Sequence, residues 1–188
     1  MRSDIACDLS DSAYDFERVV WPAIKGKCGD GTLVAVESVT EKSLSQCLDT
    51  LAGIDGWHIQ QANGRMRGLA SRVQWGEPWY TFTIRSKRTT GAETELRKRI
   101  DAIRSGWLYP TLTVHAYVAE PRRRGAFLAA GICYTKDLYE FVGAHLGDGA
   151  WIRRHSRKNP TDGNEFLFVD WDELSNAKNR VGVVLSAE

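Results

Sequence analysis

Gly53-Ile54-Asp55-Gly56-Trp57-His58-Ile59, Leu69-Ala70-Ser71-Arg72-Val73-Gln74-Trp75 and Tyr80-Thr81-Phe82-Thr83-Ile84-Arg85 read as three consecutive strands. Asn63-Gly64, between the first two, is the dipeptide that supplies positive φ to a tight hairpin. Gly76-Glu77-Pro78 supplies the second turn. In the third run Tyr80, Phe82 and Ile84 alternate with Thr81, Thr83 and Arg85, the two-residue period of a strand. A helix is expected from Glu93 to Arg104, with Leu96, Ile100 and Ile103 on one face and Gly106 ending it. The strand Thr111–Val118 follows, with Leu112, Val114, Ala116 and Val118 inward and Thr111, Thr113, His115 and Tyr117 outward.

Upstream, Ser10 or Ser12 caps a helix expected from Ala13 to about Ile24, and Lys25–Gly31 reads as a loop. Leu33–Glu37 reads as a short strand. Thr40-Glu41 opens a second helix through Ala52, with Leu44, Cys47, Leu48 and Leu51 at helical spacing. Downstream, a strand is expected around Phe127–Tyr134 and a helix from Thr135 to about His145. Gly147–Gly149 and Ile152–Gly163 look loop-like, Phe166–Val169 is a late strand, and the tail after Asp170 docks as a strand. The expected fold is therefore mixed α/β (α+β), with a central mixed sheet. An α-β-β-β-α-β core spans residues 13–118, and residues 119–188 form a C-terminal extension of the same single domain.

The 188 residues are 43% hydrophobic and include seven Trp, enough for a proper core. The net charge of +1 conceals a split. Residues 61–158 hold 18 Lys+Arg against 8 Asp+Glu, and the rest hold 7 against 16. Such asymmetry fits one surface for a polyanion, or two segments that neutralise each other in the fold. Cys7, Cys28, Cys47 and Cys133 form no C-x-x-C pair, so they read as free thiols and not as a zinc site. With acid in the opening residues where a secretory signal needs an apolar run, the expectation is a cytoplasmic protein. His58, His115, His145 and His155 lack metal-ligand spacing, and no phosphate-binding glycine motif is present.

Asp55 stands at a strand start between glycines that permit close approach of an ion. Arg72 and Gln74, at i and i+2, share one face of the next strand, and Glu17 comes from the first helix. In this element order the segment resembles the PD-(D/E)XK nuclease superfamily: Asp55, a hairpin, then Arg72-Val73-Gln74 where the family has (E/D)-x-K. The resemblance implies a divalent-metal-dependent endonuclease acting on DNA or RNA, with Mg²⁺ held by Asp55 and Glu17 and a site of Glu17, Asp55, Arg72 and Gln74. Glutamine can still orient a water in the lysine's place. Arginine in the acid's place repels a cation, so either Glu17 or Glu37 completes the site or the site has lost its metal.

The basic clusters expected to track phosphate are Arg85, Lys87 and Arg88; Arg97, Lys98 and Arg99; Arg122, Arg123 and Arg124; and Arg153, Arg154, Arg157 and Lys158. Trp75, Trp79, Tyr80, Trp107, Tyr109 and Trp151 lie among or near them and are able to stack bases. The bland alternatives are that Asp55 bonds its own turn, that Arg72 and Gln74 form a solvated strand face, and that Glu17 only faces a helix dipole. The rival function is a non-catalytic nucleic-acid- or protein-binding module of a mobile-element or defence system. A third is an enzyme acting on a small phosphorylated molecule.

Overall fold

A computed structural model describes residues 10–38, 40–121, 125–178 and 181–186. Its central sheet has six strands in the order β1-β2-β3-β5-β6-β9. These are β1 (Gly31–Ala35), β2 (Gly56–Gln60), β3 (Met66–Trp75), β5 (Leu112–Val118), β6 (Phe127–Tyr134) and β9 (Gly182–Leu185). All neighbours are antiparallel except β3 and β5, which run parallel with Ser71 opposite Val114. The mixed α/β class with a central mixed sheet is thus as expected. The strands from 119 onward are woven in: β6 and β9 extend the main sheet.

The antiparallel meander is shifted one strand upstream of its expected place. It consists of β1, β2 and β3. The expected third strand, β4 (Thr81–Lys87), leaves the main sheet and joins a second sheet with β8 (Glu165–Asp170) and β7 (Ser156–Lys158). The cause lies in residues 76–80. Gly76 N–H donates to the Val118 carbonyl at 3.0 Å, which keeps the end of β3 on β5. Pro78 has no N–H for a ladder, and Tyr80 takes φ 53. The chain therefore steps into another layer instead of folding back as a hairpin. Where a tight hairpin does form, Gly64 (φ 67) supplies the turn and Asn63 Oδ1 accepts from Arg65 N–H at 2.9 Å.

Residues 10–28 form one helix, α1, interrupted by a π-helical turn at Phe16–Val20. It runs past Ile24 to Cys28, and Gly29 (φ 85) stops it, so the expected loop begins later than predicted. The π turn lets Phe16, Val20, Trp21 and Ile24 all face the sheet. Residues 42–52 form α2, which also ends in a π turn, Cys47–Ala52. That turn breaks the 3.6-residue spacing: Leu48 is buried while Leu44 and Cys47 are exposed, and the Leu51 side chain lies outside the described residues.

The other face of the main sheet is covered by the second sheet and by α3 (Glu95–Ser105), α4 (Thr135–His145) and α6 (Trp171–Lys178), which share one apolar cluster. Because both faces are covered, every residue of β5 is buried, including Thr113, His115 and Tyr117, which were expected outward. Trp171 lies so close to Gly131 that any Cβ there would sit 2.3 Å from its ring. A short helix, α5 (Gly149–His155), replaces an expected loop. Its cap was legible, since Asp148 Oδ1 accepts from the N–H groups of Ala150 at 2.8 Å and Trp151 at 3.2 Å.

Candidate functional site

Asp55 is fixed by its backbone before its side chain is considered. Its N–H donates to the Leu69 carbonyl at 2.8 Å, and its carbonyl accepts from Val36 N–H at 3.0 Å. It is thereby clamped between β3 and the end of β1. Its carboxylate Oδ2 accepts from Ser71 N–H at 2.6 Å and from Ser71 Oγ at 3.3 Å. Buried Ile54, beside Val36 and Leu48, anchors the chain just before it.

The carboxylate borders a cavity of about 240 Å³ between α1, α2 and the first strands. Glu17, from the π turn of α1, and Asp49, from the π turn of α2, line the same cavity with Ser71 and Phe16. No Lys, Arg or His lines it among the described residues. Asp55 is exposed at the cavity mouth. Desolvation pushes its carboxyl up to about 6 and Asp49 adds to the push, while the Ser71 N–H and hydroxyl and the Arg99 guanidinium pull the other way. Of the two acids expected to complete the site, Glu17 borders Asp55's cavity, and the Glu37 side chain lies outside the described residues.

Arg72 and Gln74 do not line this cavity, but Arg72 lines a neighbouring hollow of about 160 Å³ that Asp55 and Ser71 also border, with Glu95, Arg99 and His115. Along β3, Leu69 and Val73 pack into the core beneath α1, and Ser71, in phase with them, meets Asp55. Arg72 faces the opposite layer. There its Nη1 donates to the Thr83 carbonyl at 3.1 Å and its Nη2 to Glu95 Oε2 at 3.1 Å. Tyr139 Oη donates to Glu95 Oε1 at 2.8 Å, and His115 Nδ1 accepts from Thr83 N–H at 3.0 Å. Burial, with Arg72 second, holds His115 well below the usual imidazole range, so it serves this network as a neutral acceptor. A one-residue change of parity on a strand moves a side chain to the other face. The positions that share Asp55's face are therefore Ser71 and Val73. Gln74 lines a separate cavity with Trp79 and Arg157.

Sequence reading passed over Asp49, Ser71 and Glu95, and took Arg99 for part of a phosphate-tracking cluster. Arg99, buried in α3, donates to the carbonyls of Ala52 and Gly53 and so fixes the loop that delivers Asp55. For Ser71 a signal existed: it keeps the phase of Leu69 and Val73, two residues that belong inside.

Among the described residues, the one set of three His, Cys, Asp or Glu ligand atoms lying within 4.8 Å of one another is elsewhere, at His155, Asp170 and Glu173. There His155 Nε2 meets Glu173 Oε2 at 2.8 Å, His155 Nδ1 meets the Trp151 carbonyl at 2.9 Å, and Trp151 Nε1 donates to Glu173 Oε1 at 3.0 Å. These bonds latch α5 to α6. Glu17, Asp49 and Asp55 share a cavity without converging that tightly, an arrangement that fits a hydrated cation held by one or two carboxylates and not a closed cage.

The basic candidates divide. Lys87 and Arg88 border a groove of about 490 Å³ with Arg97 and Arg104, although Glu93 and Asp101 border it too. Lys87 pairs with Glu165 at 3.3 Å. Arg85 is half-buried, its Cζ 5.5 Å from the centre of the Phe166 ring. Lys98 is half-buried, while Arg153 and Arg154 are exposed. Arg122, Arg123 and Arg124 lie outside the described residues.

No family model and no curated protein matches the chain. Among solved structures, it is similar to the restriction endonuclease BglI bound to its DNA recognition sequence, with 10% identity and a TM-score of 0.35 over 79% of this chain and 70% of that one. At that distance neither residue correspondence nor activity transfers.

Proposed function

We propose that the chain binds nucleic acid and hydrolyses phosphodiester bonds with a divalent cation, Mg²⁺ or Mn²⁺, taken up at the Asp55 cavity. The observation that carries this reading is the cavity itself: Glu17, Asp49 and Asp55 arrive from three different elements, and among the described residues no cationic side chain lines the space they share. Arg99 and Arg72 border Asp55 only from a neighbouring hollow, so inside the shared cavity the three carboxylates would be stabilised by a cation, and an ion with an intact water shell suits their spread. Asp55 and Glu17 would hold it, and Ser71 N–H would keep Asp55 oriented. Such an ion neutralises charge at a phosphoryl group and makes water a better nucleophile. The partner class follows from the excess of 18 Lys+Arg over 8 Asp+Glu in residues 61–158.

A binding-only reading is favoured by one observation. Ser71 and Val73 stand on Asp55's face, where an acid and a lysine would complete a β3 motif. The deciding experiment incubates the wild type and Asp55→Asn with plasmid and labelled oligonucleotides in Mg²⁺ or Mn²⁺. Cleavage by the wild type is expected, with a loss of about a thousandfold in the variant and nucleic-acid binding retained. No cleavage by the wild type with either metal, together with ion uptake indifferent to Asp55, would leave the binding module as the function.

A further inference from the structure

A second cavity, of about 400 Å³, lies where the two sheets meet, and its lining includes Gln74, Trp75, Trp79, Tyr117, Arg157 and Phe168. The volume falls within the range of small-ligand sites. Four of those six side chains are aromatic. Trp79 is 74% exposed, a large apolar ring left in water at the edge of a hollow.

The loop that presents Trp79 is stiff. Gly76 is bonded to Val118, and Pro78 fixes its own φ. Tyr80 is the one non-glycine residue with positive φ among the described residues. It is held there by its carbonyl, which accepts from Trp171 N–H at 2.9 Å, and by its ring, 5.5 Å from that of Trp171. Backbone strain of this kind persists only where the surroundings over-determine it, and it gathers at binding sites.

The polar lining has capacity to spare. The Gln74 amide makes no hydrogen bond among the described residues, which leaves a donor and an acceptor facing the cavity. Arg157 is steadied through Nη1 by the carbonyls of Arg154 at 2.9 Å and Ser156 at 2.8 Å. Exposed Arg153, Arg154 and Lys158 flank it in sequence. Glu77, the acid in the lining, offers an acceptor to an exocyclic amine.

We propose that this cavity takes an unstacked nucleobase, with the ring on Trp79, its edge read by Gln74, and the attached phosphate at Arg157. An amide that offers donor and acceptor together matches a base edge, and an aromatic platform beside a cation matches a nucleotide. The site deepens the nucleic-acid reading above but stands apart from the Asp55 chemistry, because Gln74 projects from the face of β3 opposite Ser71.

The test measures binding of a labelled single-stranded oligonucleotide, the same strand with abasic positions, and nucleoside monophosphates as competitors. Trp79→Ala and Gln74→Glu are compared with the wild type. Trp79 is exposed enough for its loss to leave the fold intact. Trp79→Ala should weaken base-bearing strands about 5- to 150-fold without changing the salt slope, and abasic strands should bind as weakly to the wild type. Gln74→Glu should alter the preference among the four bases. Displacement by monophosphates as strong as by strands would identify a free nucleotide as the source of the base. Stronger displacement by strands would identify a nucleic acid. Equal binding of abasic and base-bearing strands, or an unchanged Trp79→Ala, would overturn the pocket while leaving the Asp55 reading to its own cleavage assay. Binding of monophosphates with none of strands would keep the pocket and sink the nucleic-acid reading.

Discussion

On the α1 face of β3, Asp55 has the Ser71 N–H for a partner, while Glu17 and Asp49 border the same hollow with no cation among the described residues lining it. On the opposite face of the same strand, Arg72, Glu95, Tyr139, the Thr83 backbone and His115 are joined in a continuous chain of bonds. Both faces carry charge, but only the second closes its own account. A closed network needs nothing from outside and ties layers together. Three carboxylates with no cation in their shared lining raise the affinity of the hollow for one, even though Arg99 reaches Asp55 from the neighbouring hollow. Location near a strand motif is therefore a poorer guide to function than whether charge is compensated where it sits.

The sharpest way to break this comparison is to ask each face for the property assigned to the other. Asp55→Asn should cost about a thousandfold in metal-dependent cleavage while leaving the urea midpoint equal to or above that of the wild type. Glu95→Ala should do the reverse. It strands the buried Tyr139 hydroxyl and leaves the Arg72 guanidinium with the Thr83 carbonyl alone, and a loss of about 2–3 kcal/mol is expected in urea denaturation. A Glu95→Ala protein as stable as the wild type would show that the network is only a solvated ion pair.

A smaller effect concerns pH, and the two faces should carry opposite signs. Asp55 is raised to about 6 in the fold, against about 3.9 for an unfolded aspartate. The folded state therefore holds the extra proton between those values, and stability falls as pH rises through that window. His115 is held well below its usual range, so the unfolded chain takes the extra proton below about pH 6.5, and stability falls as pH drops. Asp55→Asn should remove the first slope and keep the second. Persistence of both slopes in that variant would place the titration elsewhere. Smallest of all, Asp49→Asn should lower the Asp55 titration midpoint read by carbon-detected NMR, because Asp49 is one of the charges that raise it.

The helices, the Asn63-Gly64 hairpin and the mixed sheet were legible because they rest on local signals: caps, turn residues and period. The fate of β4 was not. Its alternation is as clean as that of a half-buried strand, but the two sheets enclose it, and nothing local says which partner a strand will choose. Both π turns were also silent, since they change the phase of a helix without changing its composition. At the site, Asp55 and Glu17 could be named from the sequence, and they do line one cavity. Arg72 and Gln74 were read as joining them; Arg72 does border one hollow with Asp55 and Gln74 borders neither of Asp55's hollows, because spacing fixes only that i and i+2 agree. The direction in which they point is set by the apolar residues between them.

The pairing of β4 with β8 also bears on how the chain reaches its fold. Thr81 is matched with Asp170 and Lys87 with Glu165, so this ladder joins positions 78 to 89 residues apart. The β1–β2–β3 meander, by contrast, closes within neighbouring stretches. Non-local ladders form slowly because chain closure must precede any return in contacts. The second sheet should therefore assemble after the meander. Trp79 and its pocket, which need both sheets in place, would be among the last parts of the molecule to become competent.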